Sequence, residues 1–227
     1  MKPGQTQRRP WIVGVSGASG TPYAAAVLRA LLAAGESVDL VVSRASRLTL
    51  LDETGISFRD AHWQDDLHEW LARGADGKPG TFDAFEGRID AVRHWSAGDL
   101  AAGPSSGSYP SKGMLIVPAS TACVAGVALG LSKDLLQRAA SVTLKEGRKL
   151  VVAVRETPLN GQTLRHLVAL DDAGATVLPA SPAFYAGGTH IQDLVDFVAG
   201  RVLDAAGVEH HLYRRWEGEL GGGSRPT

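Results

Sequence analysis

The sequence predicts an α/β protein, a single domain built on a doubly wound, mostly parallel sheet with helices on its faces. Three observations predict it. A chain of 227 residues that is 44% hydrophobic suffices for one sizeable core and is short for two domains. Short apolar runs bounded by Gly, Pro or polar residues recur along it, each too brief for a helix. Between the runs lie segments with helical spacing, and strands alternating with helices imply parallel pairing through crossovers.

The runs, taken in order, fall at residues 11–16, 38–43, 114–117, 150–154 and 176–178, with a weaker one at 89–94. The first helix is marked by Ala24, Val27, Leu28, Leu31 and Leu32, with Thr21 expected as N-cap, Pro22 at the first helical position and Gly35 as the stop. The last carries Ile191, Leu194, Val195, Val198 and Val202 on one stripe, an expected capping box of Thr189 and Gln192, and Gly207 at its end. Such a sheet is flavodoxin- or Rossmann-like, and its ligands bind beyond the carboxyl ends of the strands. Residues 55–89 break the alternation. They read as a surface insertion carrying one amphipathic helix, with Trp63, Leu67, Trp70 and Leu71 at helical spacing after a possible Asp60 cap. There, His62, His68 and Glu69 read as solvated side chains before metal ligands. Residues 1–10 and 217–227 read as a flexible arm and tail around an α/β domain at 11–216.

Charge and cysteine content narrow the function. A net charge of -1 from 23 basic and 24 acidic residues gives no basic stripe for a nucleic-acid backbone. The single cysteine, Cys123, rules out an internal disulfide and any multi-cysteine metal cage. No apolar run spans a membrane, and the N-terminus lacks a secretory h-region, so the expected location is the cytoplasm.

The first strand runs through Gly17-Ala18-Ser19-Gly20 into a helix, which aims backbone N–H groups at whatever lies above the turn. A tight strand-to-helix turn needs small residues in any case, so this turn alone does not decide. The P-loop lysine is missing, the glycines lack dinucleotide spacing, and Ser43-Arg44 stands where an acidic residue would meet a ribose. Arg44 leaves an NADP-dependent reductase open, but none of Tyr23, Tyr109, Tyr185 and Tyr213 has a lysine four residues on. The near miss to a nucleophile elbow at Gly14-Val15-Ser16-Gly17-Ala18 lacks an oxyanion loop. A second small-residue turn, Pro118-Ala119-Ser120-Thr121-Ala122-Cys123, follows another strand. Two such turns suit a ligand with a phosphate at one and a ring at the other. Arg138, Ser141 and Lys145 share one helix face, and Arg155-Glu156-Thr157-Pro158-Leu159 follows the next strand. A solvated face and an Arg155–Glu156 ion pair are the plain alternatives.

In this order and combination the chain resembles the UbiX-type flavin prenyltransferases, within the superfamily of flavin-binding cysteine decarboxylases. The likeness covers residues 14–23, 41–53 and nearly all of 114–216, including Leu144-Lys145-Glu146 and Pro182-Ala183-Phe184-Tyr185. It implies that a dimethylallyl group from dimethylallyl phosphate is joined to N5 and C6 of reduced FMN, without a metal, and that the prenylated FMN serves a UbiD-type decarboxylase. It also implies a homo-oligomer, a dodecamer by family resemblance. Gly17, Ala18, Ser19, Ser43, Ser120, Thr121, Ala122, Cys123 and Arg155 would surround FMN. Tyr185 and Arg201 would hold the donor phosphate, and Ser105, Ser106 and Ser108 would border the prenyl pocket. Arg138, Lys145, Glu156 and Glu53, the last expected on the turn after the second helix, would complete the reaction site, with Trp95 and Trp216 as aromatic walls. Arg201, at the edge of an apolar stripe, calls independently for an anionic partner or for snorkelling.

The chain departs from the family at Ala119, usually cysteine, at Cys123, usually threonine, and in a longer segment before Trp95. No charged reaction-site residue is lost. Cationic side chains would take over the leaving phosphate, and Glu156 or the phosphate itself would accept the proton lost from C6, with Glu53 assisting near N5. Two other functions remain in view: a cysteine decarboxylase-like enzyme and a non-catalytic flavin-binding module.

Overall fold

The computed structural model describes residues 8–82, 85, 87–216 and 218, so most of the expected arm and tail lies outside the described residues. Six strands form one sheet in the order β3-β2-β1-β4-β5-β6, and every neighbouring pair is parallel. In chain order the elements are β1 (Trp11–Val15), α1 (Thr21–Ala33), β2 (Val38–Val42), α2 (Arg44–Thr54), α3 (Trp63–Leu71), β3 (Val92–Ser96), β4 (Gly113–Ala119), α4 (Thr121–Ala128), α5 (Leu135–Lys145), β5 (Lys149–Val154), α6 (Gly161–Asp172), β6 (Thr176–Pro179) and α7 (Ile191–Ala206).

The central strands are apolar at every position because both sheet faces are covered. Alternate side chains serve opposite layers. Val13, Val15, Leu115 and Val117 meet Leu28, Leu31 and Leu32 of α1 and Val195, Ala199 and Val202 of α7. Ile12, Met114 and Ile116 meet Leu135, Leu136 and Ala139 of α5 and Leu167 and Leu170 of α6. Each leucine buried in this way contributes about 1.5–3 kcal/mol. The weak run at 89–94 resolves into a single 3-10 turn, Ile89–Ala91, followed by β3, which begins three residues later than expected, at Val92. As an outer strand, β3 buries only Val92 completely, which explains its faint pattern.

Segment 55–89 is more deeply engaged than its polarity suggests. Ile56, Phe58, Leu67, Trp70, Leu71 and Phe85 are buried in the same cluster as α1. Asp60 does not cap α3. It starts a 3-10 turn, Asp60–His62, pairs with Arg47 and accepts from the Ser96 hydroxyl. Asp66 instead ties the segment down by accepting from the Arg59 N–H at 2.7 Å and its guanidinium at 2.5 and 3.1 Å.

Three local expectations at helix ends are also corrected. Gly20, not Thr21, is the N-cap of α1, in a left-handed conformation at φ 112° that favours glycine. The capping of α7 is shifted by one residue: Asp193 accepts from the N–H groups of Thr189 at 2.7 Å and His190 at 2.9 Å. Gln192 bonds instead to Asp196 and to the Ala75 N–H. Glu53 lies in the last turn of α2, ahead of the turn that ends that helix at Gly55.

Candidate functional site

Between β1 and β4 the strand order reverses direction, so the loops leaving these two strands part and open a crevice at their carboxyl ends. Both small-residue turns lie there. Ser16 fastens them together: its hydroxyl donates to the Pro118 carbonyl at 2.8 Å and accepts from the Ser120 N–H at 2.7 Å. Gly17 is pressed so closely on α2 that a Cβ would stand 2.4 Å from the Ala45 Cβ, which is why this position tolerates no side chain.

A cleft of about 240 Å³ opens here, lined by Gly17, Ser43, Ser120, Ala122 and Cys123 together with Ser16, Arg44, Asp134 and Gln137. Ser43 and Ser120 are the N-caps of α2 and α4, accepting from the N–H groups of Ser46 at 3.1 Å and Cys123 at 3.3 Å. Two helix N-termini therefore frame the cleft and favour an anion. Thr121 is half-buried and Ala122 exposed beside it, at the rim. Ala18 is buried, and its N–H donates to the Ser16 carbonyl, so it shapes the turn. Burial pushes the Cys123 thiol up to about 12, with Asp134 adding to the rise and a hydrogen bond with Ser16 opposing it. Cys123 is a packing wall and no nucleophile. Small hydroxyls, the Arg44 cation and an apolar wall of Cys123 and Leu136 fit a phosphorylated aromatic ligand such as FMN.

A second cavity of about 480 Å³ begins at Ser19 and Gly20. Arg155 reaches into it and donates to the Ser19 carbonyl at 3.0 Å. Glu53 accepts from the Gly20 N–H at 2.8 Å and from the N–H and hydroxyl of Thr21 at 2.8 and 2.6 Å. Of the N–H groups that the first turn was expected to offer a ligand, those of Gly20 and Thr21 are thus already satisfied by this carboxylate. Tyr23 lines the same cavity, its phenol pushed up by burial against the opposing charge of Arg155. The opposite wall is apolar: Pro182, Ile191, Leu194 and Val195.

The loop from Gly103 to Tyr109 adjoins α5. Arg138 donates through Nε to the Ser105 carbonyl at 3.1 Å, and Ser106 and Ser108 share a hydrogen bond at 3.0 Å. Lys145 is paired with Glu146, and both stand over Gly107, where a Cβ would come within 2.7 Å of Nζ. Ser105, Ser106, Ser108, Arg138 and Lys145 therefore form one group. Trp95 packs edge-on to Tyr109.

The remaining residues are dispersed. Arg155 and Glu156 do not form the ion pair offered as the plain alternative: Glu156 is exposed and accepts from the Thr157 N–H. Tyr185 and Trp216 are 59% and 55% exposed and meet edge to face at 6.0 Å, with Phe197 on the far side of Tyr185. Arg201 lines a separate groove with Phe197 and Asp204. Its anionic partner is internal: it donates to Asp204 at 2.8 Å. Burial alone would raise the Asp204 pKa, yet hydrogen bonds from Arg215, Tyr213 and His210 hold it well below the carboxylate range.

Sequence reasoning missed Ser16, Tyr23 and Asp134 as site residues. A hydroxyl closing the first buried strand was the available signal for Ser16; Asp134 sits on a different stretch of chain and gave none. Among the described residues no group of three or more His, Cys, Asp or Glu could hold a metal, and no helix is long and apolar enough to cross a membrane.

The model of the flavoprotein family matches residues 2–203. A flavin prenyltransferase UbiX from Streptomyces coelicolor is 88% identical over 218 residues, covering 96% of this chain and 99% of that protein. A crystal structure of AnUbiX (PadA1) in complex with FMN and dimethylallyl pyrophosphate superposes with a TM-score of 0.78 at 32% identity, covering 94% of this chain and 100% of the other. A dodecameric FMN-dependent UbiX-like decarboxylase from Escherichia coli O157:H7 does so at 0.76 and 35%, covering 92% and 100%. With two small-residue turns framing a cleft at the switch point and a serine-rich loop against the cations of α5, the chain belongs to the flavoprotein family, among its UbiX-type flavin prenyltransferases.

Proposed function

We propose that the protein transfers a dimethylallyl group from dimethylallyl phosphate to reduced FMN, forming bonds at N5 and C6, and that a UbiD-type decarboxylase in the cytoplasm takes up the prenylated product. The observation that carries this reading is that the chain has both two stapled turns around a cleft and a separate group of cations on α5. A flavin-storage module needs one phosphate site, whereas Arg138 and Lys145 provide positive charge apart from the cleft. An oligomer like the dodecameric E. coli relative is part of the same reading.

Reduced FMN supplies the nucleophilic N5 and C6. Gly17, Ser19, Ser43, Ser120, Thr121 and Ala122 would hold it across the switch point, with Arg155, fixed by Ser19 and lining the second cavity, as a further contact. Arg138 and Lys145 stabilise the charge that grows on the departing phosphate, work worth about 10²–10³ in rate per well-placed donor. Tyr185 and Arg201 would add to it. Trp95 and Trp216 present ring faces to a developing allylic cation. The two carboxylates separate by geometry. Glu53 has both oxygens committed to Gly20 and Thr21 and holds the turn. Glu156, bonded only to its neighbour's N–H, can accept the proton from C6.

The test is a reaction of purified protein, reduced FMN and dimethylallyl monophosphate without added metal, followed by mass spectrometry of the flavin. A flavin heavier by the added five-carbon unit is expected. Activity abolished by EDTA and restored by magnesium would overturn the metal-free reading, and a flavin of unchanged mass would overturn the transferase.

A further inference from the structure

Asp39 is the second residue of β2 and has no exposed surface; it lies beside Ile12 of β1 and Arg93 of β3 in register. A buried carboxylate is costly unless its oxygens are satisfied. Two donors meet it, both at 2.6 Å: Arg8 Nη1 on Oδ1 and the Tyr109 hydroxyl on Oδ2. The other Arg8 nitrogen is spent on the Val38 and Ala91 carbonyls.

Tyr109 closes the loop that carries Ser105, Ser106 and Ser108. Its ring fills the space beside Gly103, where a Cβ would fall 2.5 Å from a ring carbon. Arg148 holds the Tyr109 and Gly107 carbonyls at 2.9 and 2.6 Å. The outer side of this loop receives Arg138 at the Ser105 carbonyl and supports Lys145 over Gly107. A continuous path of contacts therefore runs from the buried Asp39 through the phenol and the loop to both cations, and none of the residues lining the flavin cleft belongs to it.

We infer that the Asp39–Tyr109 hydrogen bond is a positioning device for the donor phosphate, fixing the loop so that Arg138 and Lys145 stand where the leaving group departs. This rests on the transferase reading. Burial pushes the Tyr109 phenol up to about 12, and the bond to Asp39 adds to the rise, so the phenol remains a donor at neutral pH.

Tyr109→Phe retains the ring against Gly103 and Trp95 and deletes only the bond to Asp39. The donor KM should rise about tenfold through displaced cations, while the Kd for FMN, measured by flavin fluorescence, stays within about twofold. Asp39→Asn should move the donor KM the same way, since an amide turns an N–H group toward one of the two donors. KM is independent of the folded fraction, so partial unfolding does not mask the result. Lowered Tm with an unchanged donor KM in both variants would overturn the inference and leave the bond a purely structural one. An unchanged donor KM in Arg138→Ala and Lys145→Ala would overturn instead the assignment of those cations to the donor, on which the inference stands.

Discussion

The sides proposed for the flavin and for the prenyl donor are built by different means. The flavin side is finished within the sheet: two turns leave adjacent strands, one serine bonds both, and two serine-capped helices point at the space between them. Its parts are held by backbone atoms of the most buried strands. The donor side is assembled from outside the sheet, from the face of α5, a serine-rich loop, and aromatic side chains that are more than half exposed. Its cations are held through carbonyls and neighbouring carboxylates, and Arg201 is engaged by Asp204. On the proposed assignment, that contrast separates a seat for the ring within the sheet from a collar for the phosphate outside it.

The largest effects should fall on the collar. Lys145→Ala and Arg138→Ala should each slow prenyl transfer by about 10²–10³ in anaerobic single turnovers, with flavin still bound. Loss of flavin in either variant would erase the distinction between the two sides. A smaller effect, on the opposite side, is expected for Ser16→Ala. This change leaves the Ser120 N–H and Pro118 carbonyl without their hydroxyl partner, at about 1–3 kcal/mol. FMN affinity should fall about tenfold with Tm, while the donor KM of flavin-loaded protein is unchanged. A raised donor KM there would mean that the two sides are coupled.

The smallest effect concerns the C-terminal cluster. Asp204 has a depressed pKa in the folded chain, so it contributes stability above its ordinary value of 3.8, and this is lost as pH falls from there toward the folded value. Asp204→Asn should lower Tm by a few degrees at neutral pH, and the difference from the parent should shrink in acid below about pH 4. A difference that does not depend on pH would show that packing, not charge, holds residues 208–216 in place.

What the sequence disclosed follows the same division. The buried strands and α1 and α7 were legible because burial on both faces leaves an apolar run and helical burial leaves a stripe. The two turns and the helix face bearing Arg138 and Lys145 were legible because each is contiguous or regularly spaced. Interactions across distance were not. Thr21 looks like a cap in the local sequence, but Glu53, 32 residues away, accepts its N–H. Arg201 signalled an anion correctly, and the nearest one is a carboxylate three residues along the same helix. Ile56, Phe58 and Phe85 sit singly among polar residues, so no periodicity marked them as core.

Cys123 has a consequence for life in air. Reduced flavins pass electrons to dioxygen and release peroxide, and a thiolate beside such a flavin would be the first protein group attacked. The chain's single sulfhydryl lies against the cleft yet is buried, with its pKa at about 12, and so presents almost no thiolate at neutral pH. Repeated exposure to oxygen should therefore leave this wall's thiol unoxidised, the peroxide escaping to solvent without meeting a thiolate.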